Sequence, residues 1–289
     1  MSPAYCYLNG EILPIAEAKV GVYDMGLLRG FGIYEAMVTA NRRPFMFADH
    51  MARFKKSADR MRLKIPATDT QVENAISDLV AKNIPQREEA VIRFILTGGE
   101  AQGGIGYDYE TPTFYILVEP LVPIDPRNYT DGCSLMMCDH QRQFPECKTV
   151  NYIQAVMLQQ ARKDAGAIEI LYTSAGTVLE CATSNFFIVS SGGGSASGGK
   201  DGTIVTAQDD ILHGITRQVA IDVARPHFAV EERKVSISEM HAADEAFLTS
   251  SFKDVVPVVK VGDTVIGTGK VGPVTARVME LFDEFKMVY

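Results

Sequence analysis

Two apolar runs constrain the first half of the chain more than any other feature: AVIRFILTGG at 90–99 and TPTFYILVEPL at 111–121. Both are rich in β-branched and aromatic residues, so they read as buried strands of a covered sheet. Gly103, Gly104 and Gly106 between them mark a loop suited to the rim of a site. Directly after the second run, Pro120, Pro123 and Pro126 interrupt the pattern in PLVPIDPRNYTDG. Prolines at that density end regular structure, which predicts a smaller N-terminal domain over 1–120, a linker over 121–131 and a larger domain over 132–289. The length of 289 residues accommodates two domains at roughly 100–200 residues each.

Around this frame the elements alternate in type. YCYLNGEILPI at 5–15 has apolar alternation about Asn9-Gly10, a hairpin signal. Asp49 is the expected cap of a helix through HMARFKKSADRMRL, where Met51, Phe54, Ala58 and Met61 share one face, and a second helix is expected over 69–83. Beyond the prolines we expect strands at 133–138, 168–173, 185–189 and 245–250, and helices at about 151–165, 214–225 and 272–285. The fold class is therefore mixed α and β. The tract SSGGGSASGGKDG, between FFIV and TIVT, reads as a flexible extension of a hairpin loop.

Composition excludes several classes. Hydrophobic residues are 46% and charged residues 22%, ordinary globular values. Lys plus Arg number 28 against 36 Asp plus Glu, and a net charge of −8 gives no attraction to a nucleic-acid backbone. The opening MSPAYCYLNGEIL lacks the basic start and apolar stretch of a signal peptide, and no run is long enough to span a bilayer, so a cytoplasmic location is expected. Cys6, Cys133, Cys138, Cys147 and Cys181 form no C-x-x-C pair and read as reduced thiols. Histidines at 50, 140, 213, 227 and 241 show no H-x-x-x-H spacing, which argues against a metal. LRGFGIYE lacks the third glycine of a dinucleotide fingerprint.

Five segments carry the chemistry, in this order: DMGLLRGFGIYEAM, DHMARFKKSA, ECKTVNY, VLECATSNFF with ILHGITRQ, and FLTSSFKDVVPV. Together, from about Tyr5 to Phe282, they resemble the class IV, fold-type IV pyridoxal-phosphate enzymes, which include D-amino-acid aminotransferase, branched-chain aminotransferase and aminodeoxychorismate lyase. The resemblance implies the two-domain fold of D-amino-acid aminotransferase, with pyridoxal 5'-phosphate bound chiefly by the C-terminal domain. It implies that Lys148 is the Schiff-base lysine, a role that requires partial desolvation. It implies that Glu180 pairs with the pyridine nitrogen, keeping it protonated so that the ring can withdraw electrons. Thr183, Ser184 and Asn185 match the polar run around the cofactor, and Tyr152 matches a tyrosine on its phenolic oxygen. For the phosphate, the resemblance implies Arg53, the helix start at Gly214, Ile215 and Thr216, whose amides would face an anion, and Ser251. It places Tyr34, Ser250 and Phe252 in the substrate pocket.

One departure stands out. D-amino-acid aminotransferases bind the substrate carboxylate through an R-x-H pair, whereas the matching stretch here is Arg93-Phe94-Ile95. A cation within a buried strand needs an anion, so Arg93 with Arg29 is the expected replacement clamp. GIYEAM and ATSNFF look closest to the D-specific branch. The expected reaction is therefore ping-pong transfer of an amino group between D-amino acids and 2-oxo acids such as 2-oxoglutarate or pyruvate. An L-branched-chain aminotransferase is the alternative, and an aminodeoxychorismate lyase, which ECKTVNY also resembles, the third. A homodimer is expected, with Arg29 a candidate for the loop that completes the neighbouring subunit's pocket.

Overall fold

The computed structural model describes residues 4–190 and 202–289. They form two compact units, Met1–Val122 with Cys147–Asn151, and Pro123–Glu146 with Tyr152–Tyr289. The fold is mixed α and β, as the fold-type IV resemblance implies. The stretch expected as a linker is only partly one. Arg127–Thr130 forms a helical turn, and the Tyr129 hydroxyl donates to the Lys253 carbonyl at 3.1 Å, so residues from 123 onward are built into the second unit. The expected boundary also leaves Cys147–Asn151 in the second domain, whereas this segment packs with the first unit.

In the first unit, an antiparallel sheet runs Glu11–Pro14, Tyr5–Leu8, Thr113–Pro120, Ala90–Thr97, Gly32–Ala40 and Arg43–Pro44. Asn9 and Gly10, at φ 47° and 106°, supply the two left-handed residues that a tight hairpin with right-twisted strands requires. Side chains alternate across the sheet. Ile33, Met37, Ile92, Phe94, Leu96, Phe114, Ile116 and Val118 face helices Phe47–Met61 and Asp69–Asn83, whose Met51, Phe54, Ile76 and Leu79 complete a core. The second helix begins with a capping box between Thr68 and Gln71. The first begins two residues before Asp49, after Met46 in a left-handed conformation; Asp49 lies in its first turn, where its charge suits the helix dipole, rather than at its cap.

The second unit is built on a sheet of ten strands among the described residues, with Thr177–Cys181, Asn185–Ser190 and Glu245–Ser250 closest to the chemistry. Helices Ile215–Ala224 and Pro273–Val288 pack beside it. The helix expected at 151–165 is two short ones, Ile153–Met157 and Gln159–Asp164, because the backbone leaves the helical region at Leu158, where ψ is 0°. Most of the Gly/Ser tract, 191–201, lies outside the described residues, but the strands flanking it pair as an antiparallel hairpin.

Candidate active site

Lys148 is fixed by its backbone to the open edge of strand Gly32–Ala40. Its carbonyl accepts from Tyr34 N–H at 2.8 Å, Val150 N–H donates to the Gly32 carbonyl at 3.1 Å, and Ile33 and Thr149 form an antiparallel bridge. The Lys148 amide also lies 3.4 Å from the buried Ser57 hydroxyl. The ammonium sits 4.5 Å from the centroid of the Tyr34 ring, a cation–π contact that orients the side chain. The register pairs Tyr34 with Ile95 and Ala36 with Arg93, which puts Tyr34 and Arg93 on the same sheet face, opposite the core. Arg93 is not a cation stranded in a buried strand. It is about one-third exposed and paired with Glu119 on strand Thr113–Pro120. Arg29, exposed at the end of helix Met25–Arg29, donates to the Leu28 carbonyl at 2.9 Å. Arg29 and Arg93 each have a partner of their own, the Leu28 carbonyl and Glu119.

Beside Lys148, helix Phe47–Met61 presents His50, Arg53 and Ser57 on one face. Glu35 meets them with no solvent exposure: its two oxygens accept from Arg53 at 3.0 and 2.6 Å, and one lies 3.0 Å from His50 Nδ1. Burial alone would raise the Glu35 carboxyl, but Arg53 and His50 outweigh it and hold it far below the usual carboxylate range. One edge of the Arg53 guanidinium is thus committed to Glu35. Burial pushes His50 below its usual value against the pull of Glu35, leaving the imidazole neutral near pH 7.

That shift has a stability consequence. An unfolded histidine takes up a proton near pH 6.5, whereas folded His50 resists it, so stability falls as pH drops below about 6.5, by at most about 1.4 kcal/mol per pH unit. We expect the fall in Tm between pH 7.5 and 5.5 to be shallower in His50→Gln than in the native protein, whatever the absolute Tm of the variant. Equal falls in the two proteins would show that His50 does not supply the slope.

In the second unit, Glu180 is the penultimate residue of strand Thr177–Cys181, with its carboxylate buried. One oxygen accepts from Arg142 Nε at 2.9 Å and Nη2 at 2.6 Å; the other accepts from the Leu212 amide at 3.1 Å and lies 3.5 Å from Asn185 Nδ2. Asn185 also donates to the Leu212 carbonyl at 2.7 Å. A Cβ on Gly214 would stand 2.1 Å from Asn185 Oδ1, so only glycine allows this close approach where helix Ile215–Ala224 begins. Gly214 gives that helix no side-chain cap, and Ile215 and Thr216 stand in its first turn, the positive end of the helix.

Asn185 pairs across the sheet with Thr249, and the next residue, Ser250, has a buried hydroxyl without a hydrogen-bond partner among the described residues, as does Thr249. Ser251 and Phe252 occupy the turn that follows. An uncapped helix start, orphaned hydroxyls and a carboxylate served only by donors fit a phosphate-bearing aromatic ring with a basic nitrogen.

The Thr183 and Ser184 hydroxyls both donate to buried Glu169, which also accepts from Lys253 at 2.7 Å. These two residues therefore brace the turn after Glu180. Tyr152 is half-buried against Tyr172, Ile170 and Ala155. Sequence reasoning missed Glu35, His50, Arg142, Glu169 and Lys253. The first two had a usable signal, an H-x-x-R pair on one helix face opposite a strand carboxylate; Arg142 had none.

Fold and residues together define a fold-type IV enzyme. The class IV aminotransferase family model matches residues 32–261, and the chain belongs to that family. It is 29% identical, over 97% of its length and 96% of the relative's, to a Methanocaldococcus jannaschii protein named provisionally as a branched-chain-amino-acid aminotransferase. It is 28% identical to the D-alanine aminotransferase of Bacillus licheniformis, over 93% of each chain. Among solved structures it shares its fold with a hypothetical aminotransferase from Mycobacterium tuberculosis in its PLP-bound form, at TM-score 0.81 and 22% identity over 99% of both chains. Pyridoxal 5'-phosphate is the cofactor of the family.

Proposed function

We propose that the enzyme moves amino groups between D-amino acids and 2-oxo acids by a ping-pong cycle. Two observations, each within its own unit, support the transaminase half of this reading: a lysine pinned beside Tyr34, and a buried carboxylate, Glu180, that accepts from Arg142 and the Leu212 amide. Bound pyridoxal phosphate supplies an electron sink that acidifies the substrate Cα–H. Lys148 carries the cofactor covalently and then moves the proton. Glu180 holds the proton on the ring nitrogen, and Ile215, Thr216 and Ser251 hold the phosphate, assisted by Arg53. Asn185 positions Glu180 and the helix start, Tyr152 borders the ring, and Ser250 and Phe252 border the substrate.

D-amino-acid preference is supported by the D-alanine aminotransferases among the relatives. Arg93 lies on the Tyr34 face and, with Arg29, is proposed to take the carboxylate that an R-x-H pair would otherwise hold, exchanging Glu119 for substrate. The exposed Val22, Leu27 and Ile105 support the proposed homodimer, in which a second copy would cover them and Arg29 would serve the neighbouring pocket. We place the enzyme in the cytoplasm, a reading that the five free thiols support.

L-branched-chain transamination is the second reading, favoured by the Methanocaldococcus relative. Following the cofactor absorbance in single turnovers separates the two. We expect D-alanine and D-glutamate to convert the loaded enzyme at least about tenfold faster than L-leucine or L-valine, and a reversed order would favour the second reading. In Arg93→Ala, KM for amino and oxo acids should rise roughly tenfold, since a charge-assisted bond is worth about 1.5–3 kcal/mol. Lost stability with unchanged KM would confine Arg93 to bracing Glu119.

A further inference from the structure

Arg142 lies in the loop six residues before Lys148, in a stretch that carries none of the family motifs, yet it is one of the more deeply placed cations of the second unit, with its side chain only 13% exposed. Its Nε and Nη2 both donate to one oxygen of Glu180, and Nη2 also donates to the Pro145 carbonyl at 2.6 Å. One guanidinium thus joins the carboxylate proposed for the ring nitrogen to the backbone that leads into Lys148.

The chemistry of Glu180 needs such a partner. A carboxylate that stabilises a proton on a ring nitrogen must accept a hydrogen bond without taking the proton, which requires it to be ionised before the ring arrives. Burial opposes that state, because a desolvated carboxylate tends to gain a proton and become a donor. Leu212 N–H and Asn185 Nδ2 supply neutral dipoles to the second oxygen. Only a cation compensates a full charge, and a guanidinium remains charged at every pH in which the protein folds.

We propose that Arg142 is a positioning residue that keeps Glu180 ionised and aimed as an acceptor, so that cofactor binding proceeds without proton release. This inference rests on the reading that Glu180 meets the ring nitrogen. With Arg142 present, an ionised carboxylate meets a protonated ring and the proton count does not change. Without it, the cation left to act on Glu180 from helix Ile215–Ala224 is Arg217, which donates to the Ala207 carbonyl and Glu232, so the buried carboxyl gains a proton more readily at low pH, and that proton must leave for the salt bridge to form. Binding then weakens as pH falls, by up to one decade per pH unit once the carboxyl is protonated in the apoenzyme. The cofactor's own ionisations are common to every variant and cancel in the ratio to the native protein.

The test is a titration of apoenzyme with pyridoxal 5'-phosphate, followed by protein fluorescence at pH 6, 7 and 8. The proteins compared are native, Arg142→Gln, Arg142→Lys, Glu180→Gln and the Arg142→Gln, Glu180→Gln double variant. We expect the Kd ratio of Arg142→Gln to native to rise about tenfold from pH 8 to pH 6. It should stay flat in Arg142→Lys, which restores the charge, and in the double variant, which has no carboxylate to titrate. A pH-independent ratio in Arg142→Gln would overturn the proposal and leave Arg142 a loop brace. If Arg142→Gln does not fold, Arg142→Met, which removes the charge but keeps most of the side-chain length, decides in its place, and a flat ratio there would equally overturn the proposal. Failure of the underlying reading is distinct: Glu180→Gln would then bind the cofactor as the native protein does and show its visible spectrum unchanged.

Discussion

Lys148→Ala is expected to reduce transamination to background while leaving the fold intact. The reason lies in how the residue is held. The carbonyl bond to Tyr34 N–H, the Val150 bond to Gly32 and the Ile33–Thr149 bridge all use backbone, so truncating the side chain removes none of them. What is lost is the amine, together with its contact to the Tyr34 ring, which contributes about 0.5–2 kcal/mol. Circular dichroism should therefore report native secondary structure and a Tm lowered by only a few degrees, while turnover with any amino donor disappears. A variant that still turned over at a sizeable fraction of the native rate would remove Lys148 from the chemistry.

Glu180→Gln is expected to be the second largest effect, slowing the first half-reaction by roughly 10²–10³-fold, the loss seen when one fixed electrostatic partner of a developing charge is removed. The glutamine carbonyl can still accept from Arg142, but its amide then points a donor at the Leu212 N–H and Asn185 Nδ2, which are themselves donors. That mismatch should weaken cofactor binding by about tenfold, in line with an unsatisfied buried bond of about 1–3 kcal/mol. Stopped-flow absorbance with saturating amino acid separates the two effects, because cofactor loss is overcome by excess pyridoxal phosphate and the rate defect is not. A half-reaction at near-native speed would show that Glu180 does not face the ring.

Much of this was legible in sequence because it is local. The Asn9-Gly10 turn, the helix at Asp69–Asn83 and the strand at Glu245–Ser250 each follow from a few neighbouring residues, and the structure has them within a residue or two of expectation. The catalytic candidates were visible through motifs, not through physics: a lysine at 148 differs from other lysines only in what lies around it after folding. Long-range pairing was not legible. Arg93 was correctly seen to need an anion, but that Glu119 supplies it depends on the register of two strands. Nor does anything in ATSN reveal Glu169, fourteen residues before Thr183, which accepts from both the Thr183 and Ser184 hydroxyls. Arg142 was silent for the same reason, since a cation in a polar loop looks solvated until the fold buries it against Glu180.

The most direct check on the assignment of the cofactor lysine is reduction of the loaded enzyme with borohydride, followed by proteolysis and mass spectrometry of every lysine peptide. Lys253 is the informative rival: it is as buried as a catalytic lysine should be, but its ammonium is held by Glu169 at 2.7 Å and by the Thr183 hydroxyl at 3.0 Å. We expect the cofactor mass on the peptide containing ECKTVNY, at Lys148 and at near one equivalent per chain. Cofactor mass on Lys253 or any other lysine, with Lys148 unmodified, would contradict the assignment.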